Sequence, residues 1–530
     1  MQQQEDHQSD IFKNVVIIGN GPSGICLSYL LAGNWPHYTG EAHPGDEMLT
    51  ARLRYSLGSR GGCFVERSSR EELDVLSAGL EGRHAGRPLS LLMDQLQHPC
   101  LDAGLDVPSL LEWPSPDKHS THRPIDHVVL GKGSAGGCWN TLDPNVLTIS
   151  LGRWMSLPGY DFGQWESSLS SEERRQKFSY LGESAEIGND FSYSNASRVP
   201  IGLVAAYYRD YVIKQSLDKY FHCGTVVTSV RPVPGTVDST TEYGWLVQGY
   251  ESESGRSFQY RCRRVVLASG ATDLSNHLGV SGEDTYNWVT HDLKSFERML
   301  DQTRSSLEIA GLLHEGDERH QCRRRQRPKP KSCESVLVVG SGLSAADAIM
   351  AARSRGVPVL HVFRSRQQQK SRSLDRLQWL PASVYPEYHE VYEMMNMGLG
   401  FPLYRSLADH IVVEFSAGAD KYARTKTRKV TLCTPQGRLV TYRLAFAAVL
   451  IGSKPDLSYL HNGGVGLGKV VDKPVDNRTN QVDVDVFGSW VQRAPRKGLY
   501  AIGPLAGDNF VRFILGGALA VLADIVNAPE

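Results

Sequence analysis

The chain has no cysteine pair at C-x-x-C spacing and no cysteine–histidine ladder at zinc-finger intervals. Its nine cysteines stand apart at 26, 63, 100, 138, 223, 262, 322, 333 and 433. A dithiol redox motif is thereby excluded, no metal site is expected, and a reducing compartment is the simpler reading. Neither sign of charge is in excess: 57 Lys and Arg against 58 Asp and Glu leave a formal net charge of -1. That balance argues against nucleic acid or an anionic membrane as the main partner. Long apolar runs are also missing. Phe510 to Val526, the most apolar stretch, is broken by Arg512 and Asp524 and is short for a bilayer. The first ten residues are polar and acidic, with neither the basic nor the apolar region of a secretory signal. The expectation is a cytoplasmic, or otherwise intracellular, protein with no membrane span.

What the chain does have is size and glycine. At 530 residues, with 41% hydrophobic and 22% charged residues, it is an ordinary globular composition too long for one core, so two or more domains are expected. Residues 11 to 31 begin with a β-branched run, turn through glycine and continue as an apolar helix-forming segment, and residues 336 to 353 repeat that pattern. Two strand–turn–helix units far apart imply two nucleotide-binding domains of α/β type.

In the first unit, VVIIGNGPSGICLSYLLAG, Gly19, Gly21 and Gly24 occupy the positions of G-x-G-x-x-G. Gly19 permits the tight turn, Gly21 lets a pyrophosphate approach bare backbone, and Gly24 lets the helix pack closely. Pro22 and Ser23 lie at the helix mouth, where free N–H groups and the dipole attract phosphate. The usual second strand, ending about 20 residues on in an acid for the ribose hydroxyls, is not visible between Asn34 and Gly62. The next strand-like run is Ile125 to Leu130, followed by Gly131 and Lys132. Residues 35 to 122 therefore read as an insertion, with Asp126 or a backbone group left to contact the ribose.

The second unit, VLVVGSGLSAADAIMAARSRGVPVLHVFRS, carries Gly340, Gly342, Ser344 and Ala345 in the equivalent places, alanine being an allowed third member. Its second strand, Val357 to Phe363, ends in Arg364 and Arg366, cations suited to a 2′-phosphate. NADPH is therefore preferred over NADH. Between the units, Val226 to Val230, Trp245 to Gln248 and Phe258 to Tyr260 read as antiparallel strands, followed by a buried strand at Arg264 to Ala268. The run RRRQRPKPK at 323 to 331 reads as an exposed loop or linker. At the C-terminus, Leu499 to Ile502 reads as a strand, followed by a glycine turn and a long apolar helix. In two-dinucleotide flavoproteins such a segment returns to the FAD domain. Pro504 follows Gly503 where an aspartate would reach the ribityl chain, so Asp508 or Asn509 is the candidate for that contact, and a helix cap at Asp508 is the competing role. His127 and His389 lack a named partner and read as packed or surface residues rather than bases.

Taken together, the motifs resemble the oxidative stress-induced growth inhibitor family, related to the flavin-containing and N-hydroxylating (ornithine or lysine) monooxygenases. The resemblance runs from about Val15 to the C-terminal helix. It is carried by GNGPSGICLSYLLAG at Gly19, the segment His127 to Trp139, GRWMSLP at Gly152, GSGLSAAD at Gly340, YPEYH at Tyr385 and GPLAGDNFVRF at Gly503. It implies an α/β, two-dinucleotide-binding-domain flavoprotein, a Rossmann-like FAD domain with an inserted Rossmann-like NADPH domain. Its parts are an FAD domain over 11 to 300 and 456 to 530, a basic linker at 301 to 333 and an NADPH domain at 334 to 455. It further implies that NADPH reduces the FAD, which with dioxygen oxidises a soft nucleophile, small molecule or protein, so that the cofactor performs the chemistry. Gly136, Gly137 and Trp139 would pass beside the flavin ring, with Trp154 to Pro158 behind and Arg198 a further contact. The alternative is a regulatory scaffold that keeps the fold and acts through protein partners. A flavin disulfide reductase is disfavoured for want of a cysteine pair.

Overall fold

The computed structural model describes residues 11–66, 69–80, 87–105, 107–119, 121–178, 197–233, 244–309, 334–365, 377–398, 400–419 and 426–527. Arg366 and the basic run at 323 to 331 lie outside the described residues. Two compact units divide the chain, Met1–Asp273 with Lys454–Glu530, and Leu274–Ser453.

The first unit is built on a 7-stranded sheet. Its opening strand, Ile11–Ile18, lies between two parallel neighbours, His127–Gly131 and Ser257–Leu267. Val15, Val16 and Ile17 are fully buried, as a strand covered on both faces requires. His127–Gly131 is the strand expected at Ile125 to Leu130, so the chain does cross residues 35 to 122 before returning to the sheet. One expectation is corrected: Phe258 to Tyr260 and Arg264 to Ala268 form a single strand, Ser257–Leu267. Its first half pairs antiparallel with Trp245–Glu251, and its second half pairs parallel with Leu499–Ala501. Burial therefore changes from alternating to continuous along one strand, which in the sequence looks like two.

The helix Pro22–Leu31 is buried along nearly its whole length, because the sheet lies beneath it and the C-terminal helix Ile514–Asn527 packs above. The inserted segment is part of this core. Its helix Pro88–Gln97 meets the C-terminal helix so closely that a Cβ on Gly516 would lie 2.4 Å from the Ser90 backbone. Arg87 Nε donates to Asp508 at 3.2 Å, Ser90 Oγ donates to the same carboxylate at 3.1 Å, and Arg512 Nε donates to Asp94 at 2.8 Å. Arg512 also pairs with Asp102 at 2.9 Å and lies over the Trp154 ring at 4.6 Å.

The second unit carries a 5-stranded parallel sheet in the order Val289–Thr290, Ala447–Val449, Val336–Val339, Val359–Phe363, Tyr404–Ala408. It begins at residue 274, ahead of the boundary at 334 read from the sequence, because Val289–Thr290 joins its sheet and the helix Leu293–Ile309 packs on the helix Leu343–Ser354. A 3-stranded antiparallel sheet, Ile411–Ala419, Lys426–Cys433 and Leu439–Leu444, completes it. Among the described residues, no helix is long and apolar enough to cross a membrane.

Two predictions follow from this packing. Asp94→Ala leaves the buried Arg512 guanidinium with Asp102 as its remaining acid and lowers stability by about 1–3 kcal/mol, whereas Lys13→Ala, which breaks the pair with exposed Asp126, costs under about 1 kcal/mol; urea unfolding compares them, and equal losses would contradict the assignment. Burial holds His98, His127 and His361 neutral, with their pKa values pushed down to about 3, 4 and 4. The unfolded chain binds these protons below about pH 6.5, so it holds more protons than the fold between that pH and about 4. Stability accordingly falls with acidification through this window, by up to about 1.4 kcal/mol per histidine per pH unit. Urea midpoints measured from pH 7 to 5 should decline, less steeply in His127→Gln.

Candidate functional site

Each unit presents a glycine turn between a parallel strand and the following helix, and the first two glycines of the two turns are under the same constraints. Gly19 has φ +116° and Gly340 has φ +136°, conformations that favour glycine. A Cβ on Gly19 would lie 2.3 Å from the Ala268 carbonyl oxygen, and one on Gly340 would lie 2.2 Å from that of Leu450. Each turn is thus pressed against the end of the next strand. Gly21 and Gly342 are different: a Cβ there meets nothing within 4 Å. Both are extended residues at the N-cap, and neither helix has a side-chain cap. The N–H groups of the first turn are left for a ligand or water.

The third positions close the turns. A Cβ on Gly24 would lie 2.0 Å from the Gly19 carbonyl oxygen, so at this site only glycine lets the helix start so near the turn. Pro22 takes the first helical position, where its missing N–H is no loss. In the second unit Ala345 is buried, while Gly342 and Ser344 are exposed.

Two further glycines converge on the first turn. A Cβ on Gly137 would lie 2.9 Å from the Gly21 Cα, and one on Gly503 would lie 2.3 Å from the Ser23 Oγ. Gly136 N–H donates to the Asn20 carbonyl at 2.9 Å. Two chain segments therefore approach the helix mouth at glycines, without side chains of their own. Trp139 is half-buried and set edge-on to Tyr208 at 5.9 Å, and the Tyr208 hydroxyl donates to the Met155 carbonyl at 3.1 Å. The segments around Trp139 and Met155 thus meet on one tyrosine. Arg198 donates from Nε to the Thr148 carbonyl at 2.7 Å.

The acids considered for ribose or ribityl contacts are placed differently. Asp126 precedes the strand His127–Gly131 and pairs with Lys13, five residues and so roughly 17 Å from the strand end at Gly131. Its carboxylate is thus held at the end of the strand away from the turn. Asp508 is buried and its carboxylate is taken by Arg87 and Ser90; it does not cap the helix Ile514–Asn527. Asn509 is exposed, with its amide on the Gly507 carbonyl at 3.1 Å. Gly131 ends its strand without a carboxylate because Asn20 fills that place: a Cβ on Gly131 would lie 2.1 Å from the Asn20 side chain. Asn20 in turn donates to the Gly133 carbonyl at 2.7 Å.

In the second unit Arg364 is exposed at the end of Val359–Phe363. Beside it, Asp409 accepts from the Ser365 N–H at 2.6 Å, an acid delivered by the neighbouring strand. His361, which the sequence reading passed over, supports the turn from beneath. Its Nε2 donates to the Gly340 carbonyl at 2.6 Å, and its Nδ1 accepts from the Tyr404 hydroxyl at 2.8 Å. Burial keeps this imidazole neutral, as its two partners require. His127 is likewise a packed residue, held by the Ile125 carbonyl at 2.7 Å and Ser28 at 2.8 Å, and His389 pairs with Glu393 along its helix. A cavity of about 340 Å³ lies elsewhere in the first unit, lined by His98, Trp113, Arg153 and Tyr160 among others, and no residue of the glycine turn borders it.

No family model matches the chain. Two solved structures, the bacillithiol disulfide reductases of Bacillus cereus and Staphylococcus aureus, are similar to it over 97% and 98% of its length and 99% and 100% of theirs, with TM-scores of 0.50 and 0.51. At 15% and 13% identity the likeness is one of fold, that of two-dinucleotide-binding-domain flavoproteins. In sequence the chain is 36% identical to mouse oxidative stress-induced growth inhibitor 1, over 97% of this chain and 95% of that one. It is 35% identical to human oxidative stress-induced growth inhibitor 2, over 96% and 92%. With that identity sustained along both chains, this protein belongs to the oxidative stress-induced growth inhibitor family.

Proposed function

We propose that the chain is an FAD- and NADPH-dependent oxidoreductase of the monooxygenase type that acts in growth or cell-death control under oxidative stress. The observation that carries this reading is the backbone cradle at the first helix mouth, where Gly21 faces open space and Gly137 and Gly503 come close without side chains. A diphosphate fits such a place, since its oxygens take the free N–H groups and a Cβ would obstruct them. Gly19, Gly21, Pro22, Ser23 and Gly24 would hold the FAD diphosphate, with Gly137, Trp139 and Asn509 bordering the rest of the cofactor. Gly340, Gly342, Ser344 and Ala345 would hold that of NADPH, and Arg364 with Arg366 its 2′-phosphate. Bound flavin, reduced by NADPH, supplies the oxygen chemistry toward a soft nucleophile, small molecule or protein. The chain's own work is to bind, to orient and to exclude water. The name shared by the relatives supports the biological role, and an intracellular location belongs to the same reading.

A second reading has one observation in its favour. Asp508 is bound to Arg87 and Ser90, and Gly131 ends its strand without an acid, so the flavin's hydroxyls would have no carboxylate at either place. A chain of this kind could keep the fold as a scaffold for protein partners. The purified protein separates the two readings: flavin absorbance that bleaches anaerobically on adding NADPH supports the enzyme, and a colourless protein that takes up no FAD supports the scaffold.

Gly21→Val makes the sharper test, because the new side chain enters open space at an extended backbone position and leaves the fold unstrained. FAD affinity should fall at least about tenfold, or about 1.4 kcal/mol, with the melting temperature of the flavin-free protein unchanged. Gly342→Val should retain FAD and raise the KM for NADPH. Full flavin occupancy in Gly21→Val would remove the placement. Arg364→Ala should raise the KM for NADPH about tenfold or more while leaving that for NADH nearly unchanged, since a hydrogen bond to a charged group contributes about 1.5–3 kcal/mol. Equal changes for both nucleotides would discard the 2′-phosphate assignment.

A further inference from the structure

The inserted segment contains a small three-stranded antiparallel sheet, Gly62–Cys63, His37–Tyr38 and Leu111–Glu112. His37 and Cys63 are directly opposite each other in it. The Phe64 N–H donates to the Pro36 carbonyl at 3.1 Å, which makes His37 and Cys63 a non-hydrogen-bonded pair. In such a pair the Cα atoms stand about 4.5 Å apart and the two side chains leave the sheet on the same face. A third group reaches that face from a distant turn: His122, whose N–H donates to the His119 carbonyl at 3.1 Å. The Nε2 atoms of His37 and His122 are 3.1 Å apart, and the donor atoms of His37, Cys63 and His122 all lie within 4.8 Å of one another. Cys63 and His122 are buried and His37 is half-buried. Trp35 covers the His122 ring at 4.7 Å. His119 stacks on it at 4.6 Å, with its own ring 4.9 Å from that of His37.

We propose that His37, Cys63 and His122 form a zinc site that pins the inserted segment, with a water as its fourth ligand. Two imidazole nitrogens bound tetrahedrally at 2.0–2.1 Å stand about 3.3 Å apart, close to the spacing found here. A hydrogen bond between the two imidazoles would account for that spacing but not for the thiol beside them, whose backbone contacts with Val65 and Glu66 favour its thiolate form. One thiolate with neutral imidazoles is a donor set that suits Zn²⁺, and magnesium or calcium would require oxygen. Binding forms one Zn–S and the Zn–N bonds, releases the Cys63 thiol proton to solvent and changes no oxidation state. The ligands come from positions 37, 63 and 122, joined by the fold rather than by local spacing. The site lies apart from the glycine turn, and it stands whether or not the chain binds flavin.

The test uses the full-length chain without a histidine tag, stripped with chelator and dialysed. Zinc sulfate is titrated against a chromophoric chelator, and cobalt chloride is added in a parallel sample for its spectrum. One equivalent of zinc should bind, and cobalt should give tetrahedral visible bands with a near-ultraviolet thiolate band. Cys63→Ser should lose the thiolate band, and His122→Gln should weaken zinc binding more than about 100-fold, beyond what loss of a group that merely orients a ligand costs. His277→Gln, in the exposed group His277, Asp284 and His291, should change neither. Circular dichroism of the metal-free variants checks their folding. If wild-type protein shows no cobalt–thiolate band, the site does not exist, and that result is independent of any variant's stability. Zinc uptake that survives Cys63→Ser and His122→Gln, or that is lost in His277→Gln alone, also overturns it.

Discussion

The structure of the first unit depends on backbone meeting backbone at one helix mouth. The strand Ile11–Ile18 must reverse within a few residues, and the helix that follows must start against the strand it has just left. Gly19 and Gly24 make this possible, each at a distance where any side chain would collide. Once the turn is made, other segments are drawn to it by the same rule, and Gly137 and Gly503 come in bare. The second unit solves the problem with its own pair, Gly340 and Ala345, and adds His361 as a buried strut under the Gly340 carbonyl.

The insertion is the second organising fact. It could have been a surface excursion, but its helix Pro88–Gln97 lies under the C-terminal helix and supplies Arg87, Ser90 and Asp94 to buried partners. Burying charges is tolerable here because each one is paired and hydrogen-bonded. This arrangement draws Asp508 into the packing. A residue that by its place in the chain could face a cofactor faces the inserted helix instead.

What was legible in the sequence was whatever depends on short-range pattern. The glycine positions, the strands and helices beside them, and the return to the sheet near His127 could be read because each follows from spacing and local sterics. Asn20 filling the place of a strand-end acid could not, since that depends on where a side chain lies across the sheet. The strand Ser257–Leu267 was split in the reading because its neighbours change halfway along. The fold of residues 35 to 122 gave little signal, for its strands are two residues long and its helix Pro88–Gln97 is held by contacts more than 400 residues away. The cysteines were counted for local motifs, so Cys63 opposite His37 went unseen.

The clamp between the inserted helix and the end of the chain has a consequence for biosynthesis. Arg87 waits for Asp508 across 421 positions, and Asp94 waits for Arg512 across 418. At ribosomal speeds of about 5–20 residues per second that interval lasts tens of seconds. Throughout it the nascent helix Pro88–Gln97 lacks the cover of the helix Ile514–Asn527, so the core of the first unit closes only after the segment around Asp508 and Arg512 has been made.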